Sequence, residues 1–149
     1  MAITVRSVTK DEREVWEALV QAYAEFYKTS MDSGSFDRVW DWIFDENEKF
    51  WCDFVEDDQG KVIGFTQYQL MHRSLSGEMV CYLSDLFVKP GVRGGGYGRA
   101  MIDHVIEFAK ANKIPNVRWL TQEYNYTARK LYDRYTPKSD FILYAVPIE

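Results

Sequence analysis

Leu86-Phe87-Val88-Lys89-Pro90-Gly91-Val92-Arg93-Gly94-Gly95-Gly96-Tyr97-Gly98-Arg99 joins two apolar segments of different period. Ahead of it, Met79–Val88 is rich in apolar and aromatic residues and reads as a central strand. Behind it, Met101, His104, Val105 and Phe108 fall on one face of a helix predicted over Arg99–Ala111. Four glycines within five residues, placed directly between a core strand and an apolar helix, are not arranged as a linker. Glycine lets the backbone turn sharply and come close to a ligand, because no Cβ intervenes. The N–H groups of the loop and of the helix N-terminus attract an anion, most naturally phosphate. Arg93 and Arg99 add charge suited to phosphate oxygens.

Spacing separates the phosphate sites that share this logic. A P-loop needs a lysine directly after its last glycine. Gly91 and Gly96 have the right gap, but Tyr97 takes the lysine's place. A dinucleotide fingerprint needs GxGxxG, and Arg99 and Met101 stand where its third glycine would be. What remains is Arg93-x-x-Gly96-x-Gly98.

Outward from the loop, Ile3–Val8 reads as a first strand, and Thr9-Lys10-Asp11-Glu12 has the form of a capping box. Trp16, Leu19, Val20, Tyr23 and Phe26 mark a first helix, and Phe36, Val39, Trp40, Ile43 and Phe44 a second near residues 35–47. Phe50–Val55 and Lys61–Leu70 flank the turn Asp57-Asp58-Gln59-Gly60 and predict a hairpin. Beyond the Arg99–Ala111 helix, a strand is expected at Val117–Thr121, a helix at Asn125–Tyr135 and a last strand at Phe141–Ile148. Antiparallel hairpins followed by one strand–helix–strand unit give an α/β fold of the mixed, α+β kind, not a doubly wound sheet.

With 149 residues, 46% of them hydrophobic, the chain suits one domain spanning 1–149 with a real core. Its net charge of −5 speaks against bulk binding of nucleic acid or an anionic membrane. No apolar run approaches the ~20 residues of a membrane span, and no signal peptide is visible, so a cytoplasmic location is expected. Cys52 and Cys81 lie in apolar runs and read as buried thiols, and no metal site is expected.

The loop resembles the acetyl-coenzyme A loop of the GNAT superfamily of N-acetyltransferases. Glu123-Tyr124-Asn125 and Ala128-Arg129-Lys130-Leu131-Tyr132 resemble the Asn…Ala…Tyr pattern of that family's last helix. Tyr82–Val88 and Phe141-Ile142-Leu143-Tyr144 are similar to the branch that holds diamine acetyltransferases and the fungal histone/polyamine and D-amino-acid acetyltransferases. The likeness covers most of the chain and is strongest from Tyr82 to Tyr144. It implies a mostly antiparallel sheet flanked by helices, with a strand–helix–strand unit for the cofactor.

The resemblance also implies roles. The pyrophosphate of acetyl-CoA would rest on the backbone of Arg93, Gly94, Gly95, Gly96, Tyr97 and Gly98, with Arg99. The pantetheine arm would pair along Leu86, Phe87 and Val88, and the Leu86 N–H would hold the thioester oxygen. Asn125 would contact the arm, and Tyr132 would give a proton to the leaving thiolate. The family's glutamate base is missing, because Ser84-Asp85 stands where the diamine branch has Glu-Asp. Strand alternation puts Ser84 and Asp85 on opposite faces. That leaves Ser84 to order a water, and Asp85 either to bond structurally or to hold substrate. Glu123 is a second candidate carboxylate.

The acceptor is expected to be a small-molecule amine, a polyamine or an amino acid. Tyr23, Phe26, Tyr27, Trp40 and Phe44 lie among Glu25, Asp32 and Asp37 in the two N-terminal helices, and aromatics with carboxylates suit an ammonium. A protein lysine is the alternative acceptor, and a non-catalytic coenzyme A-binding module the alternative function. Relatives imply a homodimer.

Overall fold

Thr4–Ser7 (β1), Phe50–Glu56 (β2), Val62–Arg73 (β3), Glu78–Val88 (β4) and Val117–Arg118 (β5) form one sheet, in that spatial order, in the computed structural model of the protein. The structure describes residues 2–92 and 94–148. Each of the first three neighbouring pairs is antiparallel, and β4 with β5 is parallel. The mixed, mostly antiparallel sheet expected from the sequence is therefore present. The parallel pair needs a crossover, and the helix α3 (Tyr97–Ala111) makes it. Residues Met1–Trp119 form one compact unit with the helices α1 (Arg13–Phe26), α2 (Ser33–Phe44) and α3. Leu120–Glu149 form a second unit around the short helix α4 (Tyr126–Tyr132).

In the first unit alternation sorts side chains onto two faces. Cys52, Phe54, Phe65 and Phe87 point to α1 and α2 and join Trp16, Leu19, Val20 and Phe36 in the larger core. Val55, Ile63 and Met101 form a second core towards α3, with Leu86, Val88 and Tyr97 against it. Burying one such side chain is worth ~1.5–3 kcal/mol, so two faces of apolar contacts clamp the sheet between helices.

Sequence-local signals hold where the expected partner is nearby. Thr9 and Glu12 form the expected capping box, in which Glu12 accepts from the Thr9 N–H at 3.0 Å. The same carboxylate takes the Arg6 guanidinium at 2.8 Å, which lowers its pKa to about 2. Arg6 also reaches Glu56 of β2 at 2.8 Å and so ties the start of α1 to two strands. Asp32 caps α2 by accepting from the Ser35 N–H at 2.7 Å. The last strand is the main departure. Residues 141–148 form no strand, and Phe141 and Ile148 are 96% and 90% exposed. An apolar run makes a strand only where a ladder partner exists. The second unit contains α4 but no strand among its described residues.

Towards α3, the sheet also buries a charge. Asp53 of β2 is 2% exposed, and its Oδ2 accepts from the Tyr68 hydroxyl at 2.7 Å and from His104 Nε2 at 3.0 Å. The bond to Asp53 raises the pKa of His104 above 6.5, against the opposing effect of burial. A raised histidine stabilises the fold fully below its unfolded value, and the contribution is lost as pH rises through the folded one. His104→Gln should therefore lower the melting temperature more at pH 6 than at pH 9. Equal losses at both pH values would exclude the charged pair as the anchor of α3.

Candidate active site

The site is built on an irregularity in the β3–β4 ladder. Gln67 pairs with Asp85 and Tyr68 with Leu83, so Ser84 is an extra residue in β4. Such a bulge bends the strand and redirects a side chain. Ser84 and Asp85 were expected on opposite faces, and the bulge cancels that alternation. The Ser84 hydroxyl donates to the Gln67 carbonyl at 3.1 Å and lies 3.3 Å from Asp85 Oδ2. Beyond the bulge, Asp85 and Phe87 point to the α1 side, while Leu86 and Val88 point to the α3 side. On the opposite edge, the β4–β5 ladder takes in only Cys81 and Tyr82.

Asp85 is partly buried, and burial raises its pKa above 3.8. Hydrogen bonds from Gln67, Tyr23 and Ser84 oppose that rise. Gln67 Nε2 donates to Asp85 Oδ2 at 2.8 Å, and Gln67 Oε1 accepts from the Trp16 indole at 2.9 Å. Around the carboxylate stand aromatics of α1. The Tyr23 ring lies 5.5 Å from Phe65, 5.8 Å from Phe87 and 5.1 Å from Tyr27. The pKa of Tyr27 is raised by burial first and by the Asp85 charge second. Of the acids expected on the acceptor wall, Asp37 pairs with Arg13 and Asp32 caps α2, while Glu25 is exposed and accepts from Gln21 Nε2 at 3.4 Å.

After β4, the chain turns through glycines in the left-handed region. Gly91, Gly94 and Gly96 have φ of +91°, +92° and +85°, and Gly96 is the N-cap of α3. A Cβ at Gly96 would meet only Ile3 Cδ1, at 3.9 Å, so φ rather than crowding calls for glycine there. A Cβ at Gly91 or Gly94 would meet nothing within 4 Å, which leaves the outer side of the loop open. An open backbone turn feeding a 15-residue helix fits a pyrophosphate. Tyr97 packs against the α3-side core and its ring covers Gly95. Arg99 sits in the first turn of α3, 3.9 Å from Asp103. Arg93 lies outside the described residues.

The second unit carries the remaining expected residues. Asn125 caps α4, accepting from the Ala128 N–H at 3.4 Å and donating to Thr121 Oγ1 at 3.2 Å. Glu123 is exposed, and its carbonyl accepts from Arg129 at 2.6 Å. Tyr132 is half-buried at the last position of α4. The first unit thus brings together Ser84, Asp85, the Leu86–Val88 stretch and the glycine loop, while Glu123, Asn125 and Tyr132 belong to the second. Sequence reasoning missed Gln67 and the polar side of Trp16. The signal was a glutamine inside the largely apolar run Val62–Tyr68, in phase with Phe65.

A strand with a bulge, a glycine turn and a helix, in a mixed sheet, define a class of coenzyme-dependent acyl-group transferases. The sequence matches the acetyltransferase (GNAT) family over residues 16–136, and the chain belongs to that family. It is an acetyltransferase, and members of the family use acetyl-CoA as co-substrate. It is 32% identical over 143 residues to the D-amino-acid N-acetyltransferase HPA3 of Saccharomyces cerevisiae, covering 95% of this chain and 89% of that protein. It is 24% identical to the uncharacterized N-acetyltransferase YhfO of Bacillus subtilis, over 98% of each. A crystal structure of a probable acetyltransferase has a similar fold, with a TM-score of 0.83 at 22% identity over 100% of this chain and 99% of that one. Among the described residues no helix is long and apolar enough to cross a membrane.

Proposed function

We propose that residues 1–149 act as a single domain that moves an acetyl group from acetyl-CoA to the primary amine of a small molecule. The class includes simple amines, polyamines and amino acids. The single observation that carries this reading is Asp85. It is a partly buried carboxylate at the β4 bulge, held by neutral donors and flanked by the rings of Tyr23 and Tyr27. A carboxylate ringed by aromatics suits an ammonium through charge and cation–π contact. The yeast relative that acts on D-amino acids supports a small acceptor. A protein lysine is the alternative acceptor, and a coenzyme A-binding module without catalysis is the alternative function. Both cysteines are free thiols, which supports a cytoplasmic setting.

In this reading the ammonium binds at Asp85, which takes one proton so that the neutral amine can attack the thioester carbon. The C–S bond breaks to release the thiolate, and the nitrogen's second proton leaves to solvent through water. Burial raises the carboxylate and desolvation lowers the amine, so the gap between their pKa values narrows. Ser84 holds the carboxylate's orientation. The backbone of Leu86 offers an N–H to the developing negative charge on the thioester oxygen. Leu86, Phe87 and Val88 form the edge for the pantetheine arm. Gly94, Gly95, Gly96, Tyr97 and Gly98 cradle the pyrophosphate, with Arg93 and Arg99 supplying charge. Asn125 orients the arm, Glu123 serves as a second carboxylate for a longer polyamine, and Tyr132 protonates the thiolate. When bound, acetyl-CoA supplies the activated acyl group.

Thiol release measured with a panel of amines tests the reading. The ionised form of Asp85 is the active one. Hence kcat/KM should fall as pH drops through its pKa, which burial raises above 3.8. Asp85→Asn should lower kcat/KM by about 10²–10⁴ and remove that acid limb, with acetyl-CoA affinity kept. An unaltered limb in this variant would end the assignment. Tyr132→Phe keeps the ring and should lower kcat by about 10–1000-fold at unchanged acetyl-CoA affinity. Full kcat, with chemistry rate-limiting, would transfer the acid role to water or to another group.

The proposal includes a homodimer formed through Phe141-Ile142-Leu143-Tyr144. These four side chains are 96%, 72%, 73% and 84% exposed within the chain, an apolar run of the kind that association covers. Light scattering should give twice the chain mass at micromolar concentration, and a monomer throughout would count against it.

A further inference from the structure

We infer that Gln67, locked by Trp16, is a positioning residue that keeps Asp85 ionised and aimed for the incoming amine. The inference rests on the assignment of Asp85 made above.

Trp16 is 0% exposed and Gln67 is 5% exposed, so no bulk water competes for either. An indole nitrogen donates and never accepts. The bond from Trp16 Nε1 to Gln67 Oε1, at 2.9 Å, therefore fixes which end of the amide faces α1. The amide's NH₂ is forced to the other end, where it donates to Asp85 Oδ2 at 2.8 Å. A flipped amide would set NH₂ against the indole N–H and its oxygen against the carboxylate, a double mismatch in a dry site. The chain Trp16–Gln67–Asp85 thus has one direction, with a donor presented to the carboxylate. Successive bonds of one sense polarise one another.

The effect falls on the charged form of Asp85. Burial favours the neutral acid, and Gln67 is the strongest of the three donors that oppose burial. Gln67 and Ser84 both engage Oδ2, which orients the carboxylate about that oxygen. Among the described residues, the titratable groups that face Asp85 are Tyr23 from α1, Tyr27 at its C-cap, Cys52 from β2 and Tyr82 from β4. Burial is the first cause raising Tyr27, Cys52 and Tyr82, with the Asp85 charge adding to it. Phenols and a thiol carry no charge at pH 7, so neutral hydrogen bonds set the carboxylate's ionisation in the resting site.

The test is the pH profile of kcat/KM with the best amine of the panel, for Gln67→Met, Trp16→Phe and the double variant. Methionine keeps the length of glutamine without its donor, and phenylalanine keeps a ring without the indole N–H. In Gln67→Met the acid limb should move to higher pH by about 1 unit. Well above the limb, where Asp85 is ionised in both proteins, kcat/KM should fall by about three- to tenfold through the lost aim alone, less than the loss below the limb. Trp16→Phe, which frees the amide to flip, should move the limb in the same direction by less. The double variant leaves no unmet indole and should recover thermal stability relative to Gln67→Met. Its acid limb should stay displaced. A merely structural pair would behave otherwise, with melting temperatures falling and the limb unmoved in all three, and that result overturns the inference. A single variant that fails to fold leaves the double variant to decide. If Asp85→Asn loses the limb while Gln67→Met keeps it in place, the relay alone is wrong. If Asp85→Asn keeps the limb, the Asp85 assignment is wrong and the relay falls with it.

Discussion

The one-residue bulge at Ser84 governs both halves of the first unit's site. Along an unbroken ladder, alternation carries each side chain to the face opposite its neighbour. By inserting Ser84 against Gln67 and Tyr68, β4 changes phase once. Leu83, before the bulge, is buried beside Tyr68, and Asp85, after it, joins Gln67 on the α1 side. The change of phase gives the carboxylate a glutamine donor from the neighbouring strand and a phenol from α1. It also sends Leu86 and Val88 towards α3, where they seat the strand's end against the second core. A strand in perfect register would carry the same residues without bringing these groups together.

The glycine turn extends that geometry into α3. Three left-handed glycines bring the chain from the end of β4 into the helix within a few residues. The helix is then held along its length. Tyr97 and Met101 pack on Val55 and Ile63, His104 bonds to Asp53, and Phe108 lies 4.8 Å from Trp51. The loop therefore runs between two anchored elements, β4 and α3.

What was legible in the sequence was what local chemistry decides. The glycines before an amphipathic helix, the Asp57–Gly60 turn and the Thr9–Glu12 cap each depend on residues within a few positions, and each is present. The bulge was not legible, because nothing in Leu83-Ser84-Asp85 marks an extra residue. Register is settled by which faces bury best across β3. Trp16 read as core packing, which it is, but its indole N–H needed a partner that only tertiary structure supplies. His104 was visible on a helical face, while its partner Asp53 lies 51 positions away in β2. The last expected strand failed for the converse reason. The apolar run at Phe141–Ile148 was clear, but a ladder requires a neighbour that the run cannot specify.

Two aspartates embedded in the sheet, one on each face, show how the same problem takes two solutions. Removing a carboxylate from water is costly unless hydrogen bonds and charge compensate it. Asp53, facing α3, has a phenol and a histidine whose bond to it favours the protonated, cationic form. Its charge is met from within the chain, as befits a group that fixes a helix to a sheet. Among the described residues, the donors to Asp85, which faces α1, are an amide, a phenol and a hydroxyl, all neutral. Neutral donors keep it ionised without cancelling its charge. A buried pair gains little when both partners are permanent, whereas a carboxylate compensated only by dipoles keeps an attraction for a cation from solution. The contrast between the two faces therefore assigns the structural task to Asp53. On the reading proposed above, Asp85 is the acid whose charge an ammonium would meet.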